Sequence, residues 1–259
     1  MPVKNPTDVI SNALENGRNK ANMRTQRLII LSILGGAYIA LGGALSLIAG
    51  YGFPESPAAL QKIISGCVFP IGLILIVILG GELFTGNNAM LIPAFMNRDY
   101  GIGAIVRNWT IVYFGNFMGA LAFAWLMVYL TGLTAGDPYH SAIIKVAETK
   151  VSLSWLTVFL RGIGANWCVC LAVWLAMSGK RLAEKMLACW LPVMAFVVLG
   201  YEHCIANMFF IPLGMMEGAD VSTGALILNN LVPATLGNIV GGAIFVGMPH
   251  AMLHLKRQS

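Results

Sequence analysis

The sequence predicts an all-α integral membrane protein of six spans, built as two inverted three-span repeats whose second and fifth helices are interrupted. Hydrophobic residues make up 58% of the chain, charged residues only 10%, and the mean hydropathy is +0.76, far from a soluble domain of this size. Two G-x-E-x4-N strings, Gly80 to Asn87 and Gly200 to Asn207, each lie inside a long apolar run, and each is followed by a proline, Pro93 and Pro212. A second pair, Gly115-Asn116 with Gly119-Ala120 and Gly237-Asn238 with Gly241-Gly242, follows at nearly the same offset. Paired Gly/polar interruptions at corresponding places in two halves point to a transport site between broken half-helices. The pattern reads as a duplicated permeation pathway.

The chain opens with a polar, basic arm, residues 1–27. Val9, Ile10, Ala13 and Leu14 share one side of a short helix and Arg18, Lys20 and Arg24 follow, the pattern of a surface helix on the cytoplasmic face. Such a helix serves either as a gate or simply as a docking element. Because the first apolar run begins only after this arm, no cleavable signal sequence is expected. The channel domain, residues 28–259, then holds six segments long enough to cross about 30 Å of hydrocarbon. They run from Leu28 to Gly50, Ile63 to Phe95 (interrupted), Ile105 to Leu133, Leu153 to Ser178, Met186 to Met216 (interrupted) and Gly224 to Leu253. Repeat 1 covers residues 28–133 and repeat 2 residues 153–254.

Basic residues set the orientation. Lys4, Arg18, Lys20, Arg24, Arg27, Arg98, Arg107, Lys180, Arg181, Lys185, Lys256 and Arg257 all fall on one side of this topology. The other side holds Lys62, Lys145 and Lys150 beside Glu55, Asp137, Glu148, Glu217 and Asp220, with Arg161 near a span end. Both termini are therefore expected in the cytoplasm, with the protein multi-pass in the cell's inner (cytoplasmic) membrane. The net charge of +5 then matches anionic headgroups of the inner leaflet, which removes the warrant for a nucleic-acid partner.

Three spans per repeat turn the second half over relative to the first. Glu82 and Glu202 then approach the middle of the membrane from opposite sides, as do Asn87 and Asn207. Backbone groups freed at a break cannot face lipid and must be buried in protein or line a cavity. A carboxylate beside each break can accept the released N–H groups, so Glu82 and Glu202, with the two asparagines, read as structural support for the breaks. Gly35, Gly36, Gly42, Gly43, Gly115, Gly119, Gly237, Gly241 and Gly242 supply small-residue stripes for close helix approach.

Several strings carry a resemblance: Glu82-Leu83-Phe84-Thr85, Tyr113-Phe114-Gly115-Asn116, Val169 to Trp174, Gly200-Tyr201-Glu202-His203 with Ile205-Ala206-Asn207-Met208, and Pro233 to Asn238. From about Leu28 onward the chain resembles the formate/nitrite transporter family. That resemblance implies an aquaporin-like fold, a homopentamer with one pore per protomer, and passage of small monovalent weak-acid anions of the formate, nitrite or hydrosulfide class. It also implies that His203 and Thr85 face the pore centre and that Lys150 stands at the outer vestibule, with Asn166 and Asn238 as pore polar groups. Constrictions are expected from Phe69, Leu73, Leu83, Phe84, Val169 and Phe196, although any one of these reads equally well as core packing.

The residues support an anion path independently. His203 is the one histidine in the middle of an apolar span, and an ionisable group at that depth is a functional candidate by default. It offers an N–H donor and a charge that modest changes of environment can switch. Transient hydrogen bonding to the anion, or its protonation, would let a nearly neutral species cross the apolar constrictions. The five cysteines, Cys67, Cys168, Cys170, Cys189 and Cys204, all lie in apolar spans and read as small buried hydrophobes. No metal is expected, since Cys168 and Cys170 point apart on a helix and His250 with His254 lacks a third ligand. Neither a cofactor nor an enzymatic activity is expected. The alternatives are a neutral-solute or ammonium channel and a haem-holding redox subunit, which would need a second deep histidine.

Overall fold

The computed structural model describes residues 4–254. Lys256 and Arg257, used above for orientation, lie outside the described residues, as does the side chain of His254.

Helix α1 (Pro6–Ala21) begins with the Asn5 side chain accepting from the Asp8 N–H at 2.8 Å, with proline in the first turn, Asp8 near the start and Arg18 and Lys20 near the end. These are the charges that complement a helix dipole. Its Val9, Ile10 and Ala13 are buried against Met90, Trp174 and Val246, so the arm is docked. Arg18 also donates to Asp99 at 2.7 Å, and that hydrogen bond holds the Asp99 carboxyl below the usual carboxylate range.

The spans follow as α2 (Thr25–Tyr51), α3 (Ala58–Val68) with α4 (Ile71–Leu79), α5 (Phe84–Met90) with α6 (Ile92–Met96), and α7 (Ile102–Phe123) extended by a π-helical stretch, Ala124–Tyr129. A second short helix, α8 (Tyr139–Ser152), leads into α9 (Trp155–Ser178), α10 (Leu182–Val198), α11 (Cys204–Met216) and a last span, in which π-helical stretches Ala225–Leu231 and Val240–Gly247 flank α12 (Val232–Ile239) before α13 (Met248–His254). Five of these spans are long and apolar enough to cross a membrane in continuous helix, and α10 with α11 makes the interrupted sixth. The first, second, third and fifth spans begin a few residues before the hydropathy limits, because polar ends are solvated at the interface, where hydropathy gives no signal; the fourth and sixth begin one or two residues after them.

The repeats pack alike: α2 lies along α7, and α9 along α12. A Cβ added at Gly119 would run into the Ile33 carbonyl of α2, and one added at Gly241 into the Ile163 carbonyl of α9. Glycine there sets the helix separation. Helix α8 stands before α9 as α1 stands before α2; the amphipathic pattern of the arm predicted the first of these short helices, whereas the second was not expected from sequence.

Candidate functional site

Two cavities enter the protein from opposite ends of α2. The first, about 370 Å³, is lined by Lys20, Met23, Leu73, Glu82, Leu83 and Asn87, among others, near the start of α2. The second, about 470 Å³, lies at the far end of α2, beside Ser46, Tyr51, Lys150, Phe196, Glu202 and His203.

Each interrupted helix ends on a glycine with positive φ, Gly80 at 82° and Gly200 at 69°. That left-handed turn favours glycine. The backbone beyond it is held by asparagines of the third and sixth spans. Asn116 Nδ2 donates to the carbonyls of Glu82 (2.8 Å) and Ser32 (2.7 Å), while its Oδ1 accepts from the Phe84 N–H (2.9 Å). Asn238 repeats this on Glu202 O (3.0 Å), Gly162 O (2.8 Å) and the Cys204 N–H (2.9 Å). At each break a freed N–H and a freed carbonyl are thus satisfied within protein, as a low-dielectric setting requires.

The carboxylates act differently from expectation. Neither side chain takes up a released N–H group; Asn116 and Asn238 accept one each, from Phe84 and Cys204. Glu82 accepts from Lys20 Nζ (2.6 Å) and Asn87 Nδ2 (2.7 Å). Glu202 accepts from Lys150 Nζ (3.0 Å to each oxygen) and Asn207 Nδ2 (2.7 Å). Asn87 is tied on to Asn108, whose Nδ2 reaches Lys20 O. Asn207 is tied to Asn230, whose Nδ2 reaches Lys150 O. Lys20, Asn108 and Asn230 were not singled out from sequence, yet the repeat carried the signal. Lys20 precedes α2 as Lys150 precedes α9, and Asn108 precedes Asn116 by the same spacing as Asn230 precedes Asn238. Lys150 lines the second cavity as the partly buried ion-pair partner of Glu202.

Between the cavities Thr85 Oγ1 and His203 Nε2 meet at 3.0 Å, both residues almost fully buried. His203 also caps α11, its Nδ1 accepting from the Ala206 N–H at 3.1 Å. A ring nitrogen that accepts carries no proton, so this network assigns the neutral tautomer with hydrogen on Nε2, donating to Thr85. The Thr85 hydroxyl proton is left to point elsewhere. Phe196 stacks on the histidine ring (centroids 5.6 Å apart, 18° between planes) and meets Phe69 edge-on at 5.7 Å. Leu73 and Leu83 close the other side.

Five expected pathway residues line neither cavity: Thr85, which lies between them, and four that pack elsewhere. Phe84 turns to α7, packing edge-on against Tyr113 (5.0 Å) and Trp109 (6.1 Å), and Val169 is buried in the core. The amide of Asn238 is fully committed to the break. Asn166 is fully buried, its Nδ2 shared among Thr85 O, Asn88 Oδ1 and Asn238 O. These two amides brace the site from behind. The five cysteines are free thiols, and no group of three His, Cys, Asp or Glu that could hold a metal ion occurs among the described residues.

Comparison with known proteins gives concordant matches. The family model described as formate/nitrite transporter covers residues 7–252. The chain is 39% identical to the probable formate transporter of Methanothermobacter thermautotrophicus, over 98% of each chain. It is 33% identical to the formate channel FocA of Escherichia coli K12, over 99% of this chain and 98% of that one. Among solved structures it resembles a pentameric formate channel with formate bound (TM-score 0.79, 34% identity, 90% of this chain and 98% of that one). It likewise resembles an FNT family ion channel (TM-score 0.86, 28% identity, 95% and 99%).

Proposed function

Given that the chain belongs to the formate/nitrite transporter family, a group of membrane channels and transporters, we propose that it passes small monovalent weak-acid anions, formate above all, through a pore in each protomer of a homopentamer. Nitrite and hydrosulfide fall in the same class of charge and size. The assembly follows the pentameric relative, and the membrane is the inner one, with both termini cytoplasmic. The observation that carries this reading is the Thr85–His203 contact, where two cavities bearing ion-paired lysines converge. An anion arriving there finds a hydroxyl that can turn its proton outward and, behind it, an imidazole N–H, so hydrogen bonds replace lost hydration.

The same geometry constrains the proton-linked step. Imidazolium has no acceptor nitrogen, so charging His203 requires Nδ1 to release the Ala206 N–H and uncap α11. His203 therefore acts in this conformation as a neutral donor, and a proton passes through it only with a local rearrangement of that cap.

Flux into proteoliposomes, measured for formate, nitrite and hydrosulfide with pH varied on each side, tests the proposal. Formate should move, faster with acid on the source side. Conduction of ammonia or glycerol without any of the three anions would overturn it in favour of a neutral-solute channel.

A further inference from the structure

The two repeats differ sharply at one position. At the first break the Glu82 N–H donates to the carbonyl of Leu31, and at the second the Glu202 N–H donates to the carbonyl of Arg161. Leucine and arginine thus occupy the same structural place, and the leucine shows that the break needs no charge there. Arg161 lies about 9 Å along α9 from Trp155 at 1.5 Å per residue, partly buried and lining the outer cavity. Its guanidinium has no hydrogen-bond or ion-pair partner among the described residues. A cation carried that far into a span without a partner is costly and points to a ligand. The outer cavity as a whole carries four basic side chains, Lys62, Lys145, Lys150 and Arg161, against the single acid Glu202. The inner cavity carries Lys20 and Lys185 against Glu82. Lys150 is already committed to Glu202, whereas Arg161 is free.

We infer that Arg161 is an anion-docking residue of the outer cavity, holding a carboxylate or other planar oxyanion by paired N–H donors before it reaches His203; among the described residues the inner cavity holds no arginine, and the cation it offers beyond the Lys20–Glu82 pair is the single-headed Lys185. The inference rests on the anion-passage reading above and deepens it. The guanidinium fork matches two oxygens of one anion, which suits formate and nitrite and gives hydrosulfide, with one acceptor atom, a smaller gain. The 470 Å³ chamber also admits larger carboxylates, so acetate should compete with formate from that side. A guanidinium fork on one side only makes saturation asymmetric. Half-saturation should occur at lower formate when the anion arrives from the outer cavity.

Right-side-out and inside-out membrane vesicles from the same cells test this with formate as probe. Arg161→Leu installs the residue that repeat 1 already uses. It should raise half-saturating formate about tenfold in right-side-out vesicles, the order of one charge-assisted hydrogen bond, and change it less than twofold in inside-out vesicles. Arg161→Lys should restore part of the loss for all three anions but not the preference for two-oxygen anions. If Arg161→Leu does not assemble, Arg161→Gln decides in its place. Unchanged half-saturation in an assembled neutral variant, or an equal change from both sides, overturns the assignment. Failure of the wild-type protein to carry formate or nitrite would instead sink the anion reading itself.

Discussion

Removing Lys150 should do more harm than removing Lys150 and Glu202 together. Lys150 Nζ sits 3.0 Å from both oxygens of Glu202, with side-chain exposures of 16% and 4%. Breaking a buried pair by deleting one partner costs about 3–5 kcal/mol, because a charge is left uncompensated. Asn207 and Asn230 still donate to Glu202, so Lys150→Met should fall at the lower end, about 3 kcal/mol. At about 2–4 °C per kcal/mol for a chain of this size, the unfolding midpoint in detergent drops by roughly 6–12 °C. The double variant Lys150→Met with Glu202→Gln removes both charges and should recover to within about 1 kcal/mol of the wild type. Charge reversal is worse still. Two carboxylates near 4 Å repel by about 4 kcal/mol at an effective dielectric of 20, so Lys150→Glu loses stability before any effect on anion recruitment can be read. Scanning calorimetry at one fixed heating rate, with size-exclusion chromatography for assembly, measures all four proteins. A double variant as unstable as Lys150→Met, or a Lys150→Met indistinguishable from wild type, would refute the pairing argument.

Three other outcomes follow from the same geometry. Asn238→Ala strands one N–H and two carbonyls at the second break. At about 0.6 kcal/mol per hydrogen bond in membrane proteins it should lose near 2 kcal/mol by steric-trapping unfolding, and a change below about 0.5 kcal/mol would contradict the stapling role. His203→Leu removes the Nε2–H donor and the cap on Ala206, so formate flux should lose its dependence on source-side pH; an unaltered pH profile in an assembled variant would exclude His203 from the proton-linked step. Asp99, held below the usual carboxylate range by Arg18, contributes to α1 docking above its unfolded pKa of about 3.9 and loses that contribution only as pH falls through its lower folded value. Limited proteolysis of the arm should therefore be constant from about pH 5 to 7 as far as this pair is concerned, and release within that window would show that another group controls α1.

The membrane makes some of this architecture legible and hides the rest. Spans can be read because each must be long and apolar. Breaks can be read because freed backbone needs Gly, Asn and Glu near it, and those residues stand out against hydrocarbon. The mirrored strings also led to Thr85 and His203, which meet at the centre. Lys20 escaped because a lysine in a basic arm looks like any solvated cation until its carboxylate is located. Phe84, Val169, Asn166 and Asn238 came to the path with the family resemblance, and helices apolar all round give no face against which to check it, so a side chain that braces a neighbour looks the same as one that lines a pore. The π-helical turns around Asn230 left no sequence signal at all.

The asparagine staples bear on how solute can move. Rocking-bundle carriers expose a site alternately by swinging one helical body past another, and here such a swing would have to rupture the Asn116 and Asn238 bonds to α2, α9 and both breaks at once. With the scaffold riveted at its midpoint, side-chain rotation at Phe196, Leu83 and Thr85 is the cheapest available motion. Any saturation of flux should then come from docking in the cavities and not from a carrier cycle, with the shallow temperature dependence of diffusion through a narrow passage and without accelerated exchange when labelled formate is present on the opposite side. Strong trans-acceleration would mean that the staples open in every cycle.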